Sequence, residues 1–280
     1  MKNNKIPLLS FFFLLNNFMF SQVAVHDLES VDLEKLKNVT TIFVVDNKSR
    51  FEDIASEVWT FNKFKIMSTI EYKLSNINED HAVFIKKSNS NTMNSSFNGN
   101  VAIDVFNRSY YEYFYYYKKK KKKKKFKRKK VSRVYFSGRY NFGYLKNRLT
   151  LVNKQLTEGK EFGMYSNQEN LERLKELKDK TLYVSSDINR AAAKHKDPVN
   201  IEDVFKNYPY QYLLMRESDL QSKILYAKKS FYYLKFTTAA KEKFVEVIDG
   251  YTGDIIYRKY TPGSVKLTSK NIEDLISKFK

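Results

Sequence analysis

Leu36-Lys37-Asn38-Val39-Thr40-Thr41-Ile42-Phe43-Val44-Val45-Asp46 and Leu177-Lys178-Asp179-Lys180-Thr181-Leu182-Tyr183-Val184-Ser185-Ser186-Asp187 align without a gap and share the Leu, the Lys, a Thr and the closing Asp. Weaker matches follow in the same order. Phe51-Glu52-Asp53-Ile54 answers to Ile201-Glu202-Asp203-Val204, and Phe64-Lys65-Ile66-Met67 to Tyr212-Leu213-Leu214-Met215. Val83-Phe84-Ile85-Lys86 answers to Tyr232-Tyr233-Leu234-Lys235, and Arg139-Tyr140 with Gly143 to Lys259-Tyr260 with Gly263. Self-similarity kept in register over such a span marks a unit present twice, and it decides the architecture before any motif does.

Each copy reads as a strand, a helix and a strand, followed by antiparallel strands and a closing helix. Ile42 to Val45 is a short unbroken apolar run, as in a parallel strand covered on both faces. Ser49 with Glu52 predicts a capping box opening a helix through Trp59, and Phe64 to Thr69 reads as the next strand. Strands are expected near His81 to Lys87, Ser109 to Tyr117 and Val131 to Phe136, with Ser88 to Asn100 as a flexible Ser/Asn-rich connection. Leu145, Leu149, Val152 and Leu156 then form one helical stripe. In the second copy the matching pieces are Thr181 to Ser185, a helix from Asn200 to Lys206, and Tyr212 to Met215. Strands near Ser230 to Thr237, Lys243 to Ile248 and Asp254 to Arg258 follow, with a last helix striped by Ile272, Leu275 and Phe279. Ser166 with Glu169 predicts the cap of a helix carrying Leu171, Leu174 and Leu177 between the copies. The fold class is α/β, with α+β as the alternative. The expected divisions are 1–21, 22–160 and 161–280.

The first of these divisions is a leader. Lys2 and Lys5 precede an uncharged run from Ile6 to Phe20, and Ser21 stands at the cleavage point. Interrupted by Asn16 and Asn17, that run falls short of the roughly 20 apolar residues of a membrane helix. The expected location is therefore periplasmic or secreted, with no transmembrane segment after signal removal. The sequence has no cysteine, so disulfides, thiolate chemistry and cysteine-ligated zinc are excluded. Burial of apolar surface has to supply the stability.

The formal charge of the 280 residues is +20, but its distribution is lopsided. Lys118, Lys119, Lys120, Lys121, Lys122, Lys123, Lys124, Lys125, Lys127, Arg128, Lys129 and Lys130 carry twelve of the positives. Without them the chain is at +8, and without Lys2 and Lys5 at +6. So dense a run cannot be buried and reads as a solvated loop, 118–130, inserted at a hairpin tip. In the second copy the equivalent point is the tight turn Asp249-Gly250-Tyr251-Thr252-Gly253. The bland account is lengthening of a loop tip; the functional one is contact with an anionic surface or another envelope polyanion. Tyr110 to Tyr117, adjoining the lysines, suit stacking on single-stranded nucleic acid, but export argues against that partner. Period two instead puts Tyr111, Tyr113, Tyr115 and Tyr117 on one sheet face, where packing explains them.

Catalytic patterns are few. His26, His81 and His195 form no metal-binding spacing, and no phosphate loop, dinucleotide fingerprint or serine elbow occurs. No cofactor is expected. Asp46 and Asp187 are the candidate polar site, since both follow the first strand of a copy, where ligands of open α/β sheets gather. The competing reading makes them turn or helix-entry aspartates.

Ser21-Gln22 closing the leader, Thr40 to Val45, Glu57-Val58-Trp59-Thr60-Phe61 and Tyr208-Pro209-Tyr210 resemble an uncharacterised family of exported proteins from gram-negative bacteria. Val245-Glu246-Val247-Ile248-Asp249, Thr252-Gly253 and Ile255-Ile256-Tyr257 are similar to the hairpin of PepSY-type domains. The resemblance implies export and no particular activity. The expected function is that of an exported, non-enzymatic binding or interaction protein of the cell envelope. One alternative is an envelope hydrolase or metal-dependent enzyme using Asp46 and Asp187; another is anionic-surface binding through the lysine-rich segment.

Overall fold

A computed structural model describes residues 24–25, 31–74, 77–97, 100–118, 126–136, 142–159, 167–188, 200–239, 242–262 and 266–279. The leader, His26, Lys119 to Lys125, Arg139 and Tyr140, Ser166, His195 and Gly263 lie outside the described residues.

The first copy contains β1 (Ala24–Val25), α1 (Leu33–Asn38), β2 (Thr40–Val44), α2 (Lys48–Val58), β3 (Phe64–Met67), α3 (Thr69–Leu74), β4 (His81–Phe97), β5 (Asn100–Lys118), β6 (Phe126–Phe136) and α4 (Phe142–Glu158). The second repeats that order with β7 (Gln168–Glu169), α5 (Leu171–Lys175) and its 3-10 extension, β8 (Leu182–Ser185), α6 (Ile201–Phe205), β9 (Tyr212–Met215), α7 (Glu217–Leu225), β10 (Tyr232–Ala239), β11 (Glu242–Asp249), β12 (Ile255–Pro262) and α8 (Ser269–Ile276). The protein is therefore an α/β protein of two like sheet units. The sheets have the orders β1-β6-β5-β4-β2-β3 and β7-β12-β11-β10-β8-β9, which are the same topology.

The likeness extends to register. Thr41 lies opposite Phe64 and Ala82, as Leu182 lies opposite Tyr212 and Tyr232. Glu112 lies between Ile85 and Arg133, as Glu246 lies between Lys235 and Arg258. Ala24 pairs with Arg133 as Gln168 pairs with Arg258. Both units carry a β-bulge at the same place, after Tyr113 in one and after Val247 in the other. A bulge sharpens twist and fixes register, so its repetition preserves which side chains face which layer.

These ladders correct four expectations. Tyr232 is the counterpart of Ala82, not of Val83, so the sequence match there is one residue out, and such a slip exchanges the two faces. Ser88 to Asn100 is not a loose connection: β4 and β5 stay paired from Lys87 with Tyr110 to Phe97 with Asn100. The sequence Asn98-Gly99 between them is the strongest two-residue hairpin signal, and it outweighs the poor strand propensity of Ser and Asn. Helix α2 opens two residues earlier than the Ser49/Glu52 box, on Asn47, whose Oδ1 accepts from the Arg50 N–H at 3.3 Å. Likewise α5 is capped by Asn170, and Glu169 belongs to strand β7.

Layering follows from the alternation of side chains. Thr41, Phe43, Phe84, Tyr113 and Tyr115 point from the first sheet toward α1, α2 and α4, while Ile42, Val44, Val83 and Phe114 pack with Tyr72 of α3 on the other face. Trp59 is a core residue, edge-on to Phe43 at 5.2 Å, and its Nε1–H donates to Asn62 Oδ1 at 2.9 Å. Helix α4 is buried on nearly every side. Leu145, Leu149, Val152 and Leu156 face the first sheet, as the stripe predicts, while Tyr144 joins Leu220 and Ile224 of α7 and Tyr233 and Ile248 of the second sheet. The far face of the second sheet is closed by α5, α6 and α8.

Candidate functional site

The basic segment sits where the duplication puts it, in the connection between β5 and β6. It is not wholly a loop, however. Lys118 ends β5, and Phe126 to Lys130 begin β6, paired with it. Where the second copy turns over Gly250 to Gly253, the first continues its ladder through Tyr117 with Lys127 and Lys118 with Phe126. Strand pairing tolerates these cations because one ribbon face and the strand edge remain in water. Phe114, Tyr115, Tyr116 and Tyr117 thus stand opposite Lys130, Lys129, Arg128 and Lys127 in four successive pairs. The exposed Arg128 guanidinium lies 5.3 Å from the Phe114 ring centroid. Phe114 and Tyr115 are themselves buried and anchor the ribbon, while Arg128 is exposed and Lys129 and Lys130 are half-buried beside them.

The second copy shows why only the first could grow there. Its turn is clamped. Buried Asp249 accepts from Arg173 Nη2, from Ser230 Oγ, and from the backbone N–H groups of Tyr251 and Thr252 at 2.8 and 3.2 Å. Gly253, at φ +73°, lies so near α4 that a Cβ would stand 2.7 Å from the Asn147 carbonyl oxygen. Asp254 accepts from Lys154 of α4 at 2.7 Å.

Asp46 and Asp187 are both exposed, at the carboxyl ends of β2 and β8, on different sheets. Asp46 borders an open crevice of about 650 Å³ lined also by Asn47, Lys48, Ser49 and Ser68. Thr69 Oγ1 donates weakly to Asp46 at 3.4 Å. Lys48 donates to Glu71 at 2.6 Å, and Ser68 N–H donates to the same carboxylate. The Lys48 ammonium and then Ser68 pull the Glu71 carboxyl down to about 2. Asp187 has its backbone N–H bonded to Ser185 Oγ at 3.2 Å. His81 bonds Asn78 Oδ1 at 2.6 Å, and among the described residues no three His, Asp or Glu side chains could hold a metal ion.

A further polar cluster, missed from the sequence, lies between α4 and the second sheet. Arg148 and Arg258 both bind the Glu246 carboxylate: Arg148 Nη2 on Oε2, and Arg258 Nε and Nη2 on Oε1 at 2.8 and 2.7 Å. Burial pushes the Glu246 carboxyl up, but the two guanidiniums outweigh it and hold it below the usual carboxylate range. Asn147 Nδ2 donates to Tyr233 Oη at 3.2 Å, and Lys146 to Glu57 at 2.6 Å. Lys235 places its ammonium 3.5 Å from the Tyr144 ring centroid, and burial lowers its pKa to about 8. The available signal was one charge, Glu246, inside an apolar strand, together with Glu112 at the same place in the first copy.

No family model, curated protein or solved structure matches this chain.

Proposed function

We propose that the protein is exported and acts at the cell envelope as a binding or interaction protein, its β5–β6 ribbon making the contact with anionic surfaces. The observation that supports this reading is the continuation of the basic segment onto a packed sheet, with Lys127 to Lys130 held opposite Phe114 to Tyr117. Charges fixed on a sheet lose less conformational freedom on binding than charges on a free coil, so more of their attraction appears as affinity. Near an anionic lipid surface each Lys or Arg contributes about 1 kcal/mol, fading within a Debye length of about 8 Å at physiological salt. The exposed and separate positions of Asp46 and Asp187 do not favour a carboxylate-based hydrolase.

The test compares the natural chain with a variant carrying Asn-Gly in place of Lys119 to Lys125 and Gln at 127, 128, 129 and 130. Envelope membranes are washed over a salt series, and retained protein is measured. The variant is expected to leave at much lower salt. Retention that is the same for both chains rules out the ribbon as the contact.

A further inference from the structure

The cluster between α4 and the second sheet does not balance its charge. Arg258 is 1% exposed, Arg148 7% and Glu246 0%, so two guanidiniums share one carboxylate away from water. Half-buried Lys235, the strand neighbour of Glu246, adds a third cation, which feels Glu217 and Glu246 but makes no direct ion pair among the described residues. The next acid, Glu217, accepts only from neutral donors, the Tyr144 hydroxyl at 3.2 Å and Gln221 Nε2 at 3.1 Å, so its charge offsets one cation and leaves one in surplus.

Hydrogen bonding is unbalanced too. A guanidinium has five N–H donors. Nη1 of Arg148 and both Nη1 and Nη2 of Arg258 are buried without a hydrogen bond among the described residues, although Nη2 stands at ion-pair distance from Glu246, and both oxygens of Glu246 are already taken. A buried donor without a partner costs about 1–3 kcal/mol, more when charged, and an uncompensated buried charge costs more again. Water would satisfy the N–H groups and leave the charge. Only an anion answers both.

The first copy serves as an internal control. By register, Ile85, Glu112 and Arg133 stand where Lys235, Glu246 and Arg258 stand in the second, so the apolar Ile85 replaces the third cation there.

We propose that a small, weakly hydrated inorganic anion of the halide class binds at this joint, held by the guanidinium groups of Arg148 and Arg258, with Lys235 at its entrance. Binding there ties α4 of the first copy to the second sheet, so anion concentration sets the stability of the joint.

The test is thermal unfolding of the full chain at constant ionic strength as chloride replaces gluconate. Above Kd the melting temperature is expected to rise with the logarithm of chloride concentration, by roughly 5 °C at a hundredfold excess over Kd. Lys235→Met, which removes a surplus charge and leaves the Glu246 pairs intact, should fold and lose most of the rise; Arg148→Met should lose it altogether. A chain with Asn-Gly in place of Lys119 to Lys125 should keep it, which separates the joint from the basic ribbon. Crystals soaked in bromide should show anomalous density beside Arg148 and Arg258. A natural chain indifferent to chloride overturns the proposal, as does a rise unchanged in Lys235→Met, or bromide found only on the ribbon.

Discussion

Replacing Gly253 by alanine tests the joint between the copies. Two costs add at that position. An L residue held in the left-handed region loses about 1–2 kcal/mol, and Gly253 has φ +73°. Its new Cβ would also lie 2.7 Å from the Asn147 carbonyl oxygen and 3.2 Å from the Asn147 Cα. Those are backbone atoms in the middle of α4, so no side-chain rotation relieves the contact, and forced overpacking costs about 1–3 kcal/mol more. The expected loss is about 2–5 kcal/mol, a large share of the 5–15 kcal/mol typical of a whole domain. Gly159, just beyond the end of α4, is the matched control. It has φ +65°, but a Cβ there would meet only Leu33 Cδ1 at an ordinary 3.6 Å, so Gly159→Ala should cost only the conformational part, about 1–2 kcal/mol. Urea unfolding followed by tryptophan fluorescence and circular dichroism gives both values from midpoints at a common slope. Equal losses in the two variants would refute the claim that the β11–β12 turn is packed against the first copy's helix.

Three further outcomes follow from named contacts. Asn62 accepts from Thr41 Oγ1 at 2.7 Å and Trp59 Nε1 at 2.9 Å and donates to the Leu36 carbonyl at 2.8 Å, so Asn62→Leu should cost about 2–3 kcal/mol in urea titrations, and a loss below about 0.5 would count against the network. Glu246 and Asp254 have folded-state pKa values below their unfolded ones, so their stabilisation is fully present above about pH 4.3 and disappears as pH falls through the folded values. Glu246→Gln should therefore lose about 3 kcal/mol at pH 7 and show a flatter decline between pH 5 and 3; parallel curves for the two proteins would contradict this. Replacing Lys119 to Lys125 by Asn-Gly should leave the urea midpoint within about 0.5 kcal/mol of the natural chain, whereas a larger change would mean that the tract is held by the fold.

Much of the local structure is written in local residue choice. Ile42 to Val45 is apolar without interruption because its strand is covered on both faces, and Leu145, Leu149, Val152 and Leu156 recur at helical spacing because one side of α4 meets the first sheet. Caps were less legible, since Asn47, Ser49 and Glu52 compete within one turn and only backbone geometry selects Asn47. Helix α7 escaped notice because its apolar positions, Leu220 and Ile224, are few and its ends are polar. Of the candidate site residues, Lys118 and Lys127 to Lys130 read as loop from charge alone but lie in paired strands, which depended on how far β5 and β6 run beside each other.

By itself the sequence determined that one strand-and-helix unit occurs twice, that no cysteine chemistry operates, and that the positive charge is concentrated at one turn of the first unit. Those properties live in residue order and composition, which no packing can alter. Tertiary structure alone decided that α4 lies between the two sheets. By residue type Lys146, Asn147 and Arg148 look solvated, yet all three are buried: a second sheet, far away in sequence, supplies Glu246, Tyr233 and the Asp249 carbonyl to Asn147 and Arg148, and Glu57 with the Leu225 carbonyl takes Lys146. Self-comparison of a sequence reveals a repeat, but the faces on which repeats meet depend on three-dimensional proximity.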